Sequence, residues 1–217
     1  MKKLLLLLVI VLYSCSNKTE FTLSVSSDID SDEMAYLVQY KENVPVLKDS
    51  MSVVDGKFVF SDSIVVPEMH YIFFKNIKGN IPVVLEPGNI NITLYKDSIR
   101  SSKITGTKSN DDFKLYIDQS SSLINELNNI QNEINYNIAL NDSLLVDDLE
   151  KQFVDMRNKL TDYEFNFMKD NNDSYISALI LQRMVFERSI DYDQADSIMN
   201  TFDQSLKLTS PYTAVEK

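Results

Sequence analysis

Residue types that often carry chemistry are scarce in this sequence, which has one cysteine, one histidine, no tryptophan and only four glycines. With Cys15 as its single cysteine, the chain contains no Cys-x-x-Cys redox pair. With His70 as its single histidine, a histidine-rich metal site is excluded. His70 lies in a stretch of alternating polar and apolar residues, so we interpret it as a structural residue of a strand. We expect no cofactor, no metal and no catalytic residue.

The remaining composition is that of an ordinary globular protein, with 44% hydrophobic and 24% charged residues in 217. This length suits one large domain or two small ones. The formal net charge is -11, and it becomes -13 for the chain from Cys15 onward, which has 19 basic and 32 acidic residues. So negative a surface repels phosphate backbones, and the basic residues form no cluster in the sequence. Nucleic acid is therefore not an expected partner.

The first fifteen residues have the layout of a bacterial export signal. Lys2 and Lys3 precede an apolar run at 4–12, which is shorter than the roughly 20 residues a membrane-spanning helix needs. The run Leu-Tyr-Ser-Cys at 12–15 resembles the lipobox of bacterial lipoproteins. That resemblance implies a signal peptide at 1–14 and lipid attachment at Cys15. The alternatives are an ordinary signal peptide that ends near this cysteine, or a cysteine that is simply buried.

Lipidation of Cys15 would decide both the location and part of the chemistry. A buried acyl chain contributes about 0.8 kcal/mol per methylene, and lasting attachment needs two or more chains. A thioether at this sulfur leaves no thiol for thiol-disulfide exchange, so redox catalysis by this chain is not expected. Residues 15–20 would form a lipidated tether. Because they lack an acidic run that would direct export to the cell surface, we expect anchoring to the outer or inner membrane, facing the periplasm.

Residues 21–107 show the period-two pattern of antiparallel strands, interrupted by turn residues. Asp55-Gly56 suits a two-residue turn of type I′, and Pro87-Gly88 suits the centre of a type II turn in a hairpin. We predict strands at 21–25, 34–40, 44–53, 57–60, 70–75, 82–85, 90–95 and 103–105. Closely spaced strands without helical periodicity favour a small β-sandwich or barrel.

The period then changes to three and four over residues 110–209, which predicts a helical domain of about four helices. A long helix is expected from Asn110 or Asp111, with its apolar stripe running from Phe113 to Ile138. Its antiparallel partner is expected after Asp142, with Leu145 among its inward residues. Two shorter helices follow at 174–188 and 193–206, with Asp193 as a cap. Pro211 is expected to prevent further helix in a C-terminal tail at 210–217. The predicted fold class is α+β.

Two short patterns resemble ligand sites but fail on their spacing. Asp28, Asp30 and Asp32 alternate as in a calcium loop, but Glu33 stands where that loop needs glycine and Gln39 where it needs glutamate. A phosphate loop has a glycine directly before its lysine, but Thr107 stands between Gly106 and Lys108. We assign neither motif.

Several runs in fixed order resemble the N-terminal β domain of unknown function, and the helical segment after it, in TlpA-like thiol:disulfide interchange lipoproteins of Bacteroidetes. The runs are Val54-Asp-Gly-Lys-Phe58, Gly79-Asn-Ile-Pro82, Leu85-Glu-Pro-Gly-Asn-Ile90, Ile104-Thr-Gly-Thr-Lys-Ser-Asn110, Asp173-Ser-Tyr-Ile-Ser-Ala178 and Ser210-Pro-Tyr212.

In those relatives a thioredoxin-fold domain with a Cys-x-x-Cys pair follows the Ser-Pro-Tyr segment. The resemblance thus implies a lipid-anchored, non-catalytic module that acts by tethering and protein contact in the cell envelope. One alternative is that the chain is the leading fragment of a thiol-disulfide oxidoreductase whose catalytic domain lies beyond Lys217. Another is that it is an envelope lipoprotein that binds a small ligand.

Overall fold

The structure is a computed structural model that describes residues 19–29 and 31–216. The signal segment and the proposed lipid attachment residue Cys15 lie outside the described residues, as does Asp30 of the rejected calcium motif.

Two four-stranded sheets make up the N-terminal half of the described chain. One sheet has the order β4-β1-β7-β8 and the other the order β3-β2-β5-β6. The strands are β1 Glu20–Ser27, β2 Met34–Lys41, β3 Val44–Ser52, β4 Lys57–Ser63, β5 Glu68–Phe74, β6 Asn80–Leu85, β7 Gly88–Leu94 and β8 Lys103–Thr105. Alternate residues of both sheets fill one shared core, which includes Leu23, Phe60, Ile72 and Ile90. The predicted β-sandwich and the α+β class are confirmed.

The sandwich is not wholly antiparallel, because β1 pairs in parallel with β7. This pairing changes the role of the expected turn at Pro87-Gly88. It connects β6 to β7, which lie in different sheets, so the prediction that it closes a hairpin is wrong. Gly88 does have the positive φ that was expected there, at 135°.

The turn at Asp55-Gly56 has the predicted backbone, with φ values of 49° and 69°. It connects β3 to β4, which lie in different sheets and are bridged at this turn only between Val54 and Lys57, so the prediction that it joins two paired strands is wrong here too. A Cβ on Gly56 would lie 2.2 Å from the Ser27 carbonyl oxygen, so close approach of the backbone also requires glycine here. Another two-residue turn, at Glu42-Asn43, connects β2 to β3 with both φ values positive. No glycine marks this second turn in the sequence.

Five α-helices follow the sandwich in the described chain: α1 Lys108–Ala139, α2 Ser143–Asp170, α3 Tyr175–Phe186, α4 Tyr192–Met199 and α5 Ser210–Val215. Asp142, Ser174 and Asp191 are the residues whose side chains cap helix N-termini. Asp111 and Asp193 instead lie inside the first turns of α1 and α4.

The C-terminal segment differs from the prediction. The helix expected at 193–206 ends at Met199, and a 3-10 turn at Gln204–Leu206 follows. Pro211 lies in the first turn of α5, where its fixed φ is favourable, so it begins a helix instead of preventing one. Tyr212 of this helix is buried in the same apolar cluster as Ile180 of α3.

The α1–α2 pair forms a helical hairpin, as predicted, but its two halves pack differently. The half near the sandwich shares a large cluster with α3, α4, α5 and Val84 of β6. The distal half has a cluster of only three buried residues, Ile130, Ile134 and Leu149. Ile117, Ile138 and Leu145 were predicted to be inward but are exposed. In the part of the chain that the structure describes, no helix is long and apolar enough to cross a membrane.

Candidate functional site

Asn110 connects the helices to the open edge of the sandwich. Its Oδ1 accepts a hydrogen bond from the Val84 N–H at 3.0 Å, and its Nδ2 donates to the Val84 carbonyl at 2.7 Å. Nδ2 also donates to Thr107 Oγ1 at 2.8 Å. A single amide side chain therefore substitutes for a neighbouring strand beside β6. The sequence indicated Asn110 only as a possible helix cap.

Two more contacts fix the same junction. Glu86 accepts hydrogen bonds from the Ser109 N–H at 2.7 Å and from the Ser109 hydroxyl at 2.6 Å. Tyr175 of α3 accepts a hydrogen bond from the Met69 N–H of β5 at 3.0 Å. Burial raises the pKa of Tyr175 to about 12, so its hydroxyl stays protonated. The sandwich and the near half of the hairpin are thus joined through buried polar groups.

A buried carboxylate holds three helices together. Glu164 of α2 accepts a hydrogen bond from the Tyr116 hydroxyl of α1 at 2.7 Å and forms an ion pair with Arg183 of α3 at 2.6 Å. Burial, together with the adjacent Glu164, raises the pKa of Tyr116. All three polar groups are partnered within the protein, which is the arrangement of a structural network.

The hairpin projects beyond the sandwich from one end of it. β1 begins opposite the start of β7, and Gly88 lies against Thr107 just before α1. Therefore β1 and α1 begin at the same end. Further along α1, Ile117 lines a groove that Lys78 and Asn80, beside the start of β6, also line. Since β6 ends where α1 begins, α1 runs away from the end where β1 starts.

The length of α1 carries its far end past the sheets. Its 32 residues span about 48 Å at 1.5 Å per residue, whereas the six residues of β6 span about 20 Å. We call residues 130–150 of the hairpin the arm tip. It includes the end of α1, the turn at Asn141-Asp142 and the start of α2.

The arm tip exposes apolar side chains around that turn. Leu144 is 83% exposed, and Tyr136, Ile138, Leu140 and Leu145 are also exposed. The same residues 130–150 contain five acidic side chains and no lysine or arginine. An exposed apolar cluster on a projecting element is typical of a protein interaction surface. This surface could have been predicted from the sequence, because Tyr136, Leu140 and Leu144 lie outside the apolar stripes that were predicted to face inward.

The residues weighed from the sequence lie apart from the arm tip. His70 is 2% exposed on the core face of β5, with Nδ1 3.2 Å from the Glu68 carbonyl oxygen, and burial lowers its pKa. Asp28 accepts a hydrogen bond from the Lys96 N–H at 2.7 Å. Lys108 forms ion pairs with Asp112 and Asp173. Among the described residues, no group of three or more His, Cys, Asp or Glu side chains could hold a metal ion.

The fold therefore defines a β-sandwich domain extended by a projecting helical hairpin. Residues 21–113 match a known family, described as Domain of unknown function (DUF4369). The expected resemblance to a β domain of unknown function is confirmed for these residues, whereas the relation to TlpA-like proteins of Bacteroidetes stays a prediction. Comparison with curated proteins gives no match.

The end of the matched segment agrees with the packing. It extends past Gly106 through all eight strands and into α1 as far as Phe113. This includes Ser109 and Asn110, whose side chains bind Glu86 and Val84. The first turns of α1 therefore belong physically to the sandwich that they close.

Proposed function

We propose that this chain is a lipid-anchored, periplasm-facing envelope module that acts by protein contact and not by catalysis. The observation that carries the proposal is the arm tip, an exposed apolar and acidic surface at the end of a helical projection. The lipobox-like run at 12–15 supports the anchoring. The relation to the accessory region of TlpA-like redox proteins is part of the same proposal.

The position of the tether determines where the arm tip would lie relative to the membrane. Five peptide units separate Cys15 from Glu20, which begins β1, and they reach at most about 18 Å. An anchor at Cys15 would keep the start of β1 near the lipid surface. Because α1 runs away from that end, the arm tip would be held away from the membrane, where a second protein can reach it.

The acidic character of the arm tip suggests the chemistry of that partner. The same segment as the exposed apolar residues, 130–150, contains no basic residue and five acidic ones: Glu133, Asp142, Asp147, Asp148 and Glu150. Charges of one sign at the rim of an interface favour a partner of opposite sign and speed its association. The partner surface would be apolar at its centre and basic at its rim.

The anchoring is tested by mass spectrometry of the chain purified from bacterial membranes. We expect an N-terminal Cys15 carrying acyl chains, and a Cys15→Ser variant that is not processed. A free thiol on Cys15 in the wild-type chain contradicts the anchoring.

The protein contact is tested in living cells with a photo-crosslinking amino acid at Leu144. The matched control carries it at Leu208, a similarly exposed leucine near α5. We expect a discrete adduct from position 144 that disappears when Ile138 and Leu140 are changed to serine. No adduct from position 144, or the same adduct from position 208, contradicts an interaction at the arm tip.

A further inference from the structure

A groove of about 1030 Å³ lies along one open side of the sandwich. Two of its walls are the edge strands β6 and β8, one from each sheet, and the third is the first part of α1. The 3-10 turn at Ile99–Ser101 also borders it. The groove is separate from the arm tip, since none of residues 130–150 lines it.

The groove offers an apolar surface. Phe113 and Ile117 contribute from α1, Ile104 from β8 and Pro82 from β6. Ile81 and Ile99 are buried beneath them and belong to the sandwich core. A ligand would therefore contact side chains backed by a packed interior, which keeps their positions fixed.

Lysines surround this apolar surface although the chain as a whole is acidic. Lys78, Lys96, Lys103 and Lys114 line the groove, together with two carboxylates, Asp97 and Asp118. Lys114 forms an ion pair with Asp118 one turn along α1. The lining is thus net positive in a chain whose net charge is -11. Such a local reversal of sign attracts an anionic ligand to this place.

The backbone at the groove disfavours binding by strand addition. Pro82 has no N–H to donate from the edge of β6, and both backbone groups of Val84 are occupied by Asn110. At the β6 wall a ligand is therefore recognised through side-chain contacts. Apolar contacts along the floor and carboxylates at the rim fit an amphipathic segment.

We propose that this groove binds an acidic amphipathic segment of a partner protein. The charge of the lining selects carboxylates, and Phe113 and Ile117 take the apolar side chains of the segment. A small-molecule site encloses most of its ligand, whereas this groove is open along one side, as suits a chain that continues past it. An anionic lipid surface is disfavoured because the lysines and apolar residues line a concave surface.

The test begins with a random-peptide library displayed on phage and panned against the full chain in detergent. We expect the enriched peptides to combine Asp or Glu with Leu, Ile or Phe. A synthetic peptide of the enriched sequence should bind at least about tenfold more weakly to a K103E/K114E variant, and binding should weaken with added salt. The matched control is K48E/K151E, which makes the same charge change at exposed positions on β3 and α2.

A neutral variant separates binding from folding. Ile117→Ser leaves every charge in place and removes an exposed apolar contact. It should therefore weaken binding of the peptide without changing the thermal unfolding midpoint of the protein. The inference is overturned if no peptide rich in Asp or Glu is enriched, or if the enriched acidic peptide binds K103E/K114E as tightly as wild type. It would also be overturned if vesicles of anionic phospholipid bound through the same lysines while the peptide did not. Basic peptides, which suit the acidic arm tip, do not bear on the groove, so failure here leaves the proposed function standing, and the reverse also holds.

Discussion

The sandwich and the distal half of the helical hairpin differ sharply in how much apolar surface they bury. Eighteen buried hydrophobic residues form the sandwich core, whereas the distal hairpin has a cluster of three. The free energy of unfolding of a region rises with the apolar area that it buries. Segments that bury little apolar surface open locally at a low cost in free energy. The sandwich is therefore the stable platform of this protein, and the arm tip is an element whose apolar residues are available to another protein.

The largest expected effect comes from the sandwich core. Phe60 is fully buried and makes edge-to-face contact with Phe58. Phe60→Ala removes most of a large side chain and leaves a cavity, so we expect the free energy of unfolding to fall by about 3–5 kcal/mol. Urea unfolding followed by circular dichroism measures this change. A loss below about 1 kcal/mol would show that the sandwich does not limit global stability.

The matched change in the arm is Ile134→Ala, which also truncates a buried residue. If the distal hairpin opens on its own, this variant should lose amide-exchange protection at residues 123–160 while the sandwich strands keep theirs. The urea midpoint of the sandwich should move little. Equal loss of protection in both regions would mean that they unfold as one unit, and the comparison would fail.

A change at the junction tests how the two regions are coupled. Asn110→Ala leaves the N–H and C=O groups of Val84 without their partner, which should cost about 1–3 kcal/mol. Exchange protection should fall at β6 and at the first turns of α1. Asn128→Ala, an exposed position on the same helix, is the control and should be nearly neutral. The idea that Asn110 closes the sheet edge fails if the two variants behave alike.

The same comparison explains what could be predicted from the sequence. Period-two alternation specifies which face of a strand is buried, so the sandwich and most strand positions were predictable. The parallel pairing of β1 with β7 was not, because alternation contains no information about which strands are neighbours. The sequence therefore indicated a turn at Pro87-Gly88 correctly but gave no sign that it connects two sheets.

Helical periodicity has a similar limit. It locates an apolar stripe on a helix but does not indicate whether another element packs against that stripe. Ile138 and Leu145 were therefore predicted to be buried, whereas the structure shows them exposed. The role of Asn110 was also out of reach, because an asparagine near a helix start is ordinarily a cap. Only the position of β6 reveals that its side chain pairs with Val84.

A smaller effect is expected from the cap of the second arm helix. Asp142 Oδ1 accepts a hydrogen bond from the Leu145 N–H at 3.2 Å, so Asp142→Ala should destabilise the start of α2 by about 1 kcal/mol. Because this end of α2 is far from the sandwich, the loss should be confined to exchange rates at the arm tip. Asp147→Ala, which removes the same charge without a cap, is the control. A shift of the global unfolding midpoint by Asp142→Ala would show that the arm is more tightly coupled than its packing indicates.

The subtlest difference between the two regions is their response to pH, because the single histidine lies in the sandwich. Burial lowers the pKa of His70 below 6.5, against the opposing effect of its hydrogen bond to the Glu68 carbonyl. Between the two pKa values the unfolded chain binds the proton more strongly than the folded one, so the stability due to a neutral His70 is lost as pH falls below about 6.5. A His70→Gln variant has no such titration. The difference in unfolding free energy between wild type and this variant should be constant above pH 7.5 and should shift against wild type from pH 7 to pH 5. A difference that stays constant throughout this range would mean that His70 gains its proton as readily in the fold as outside it, and the core face of β5 would then be more open to water than its burial indicates.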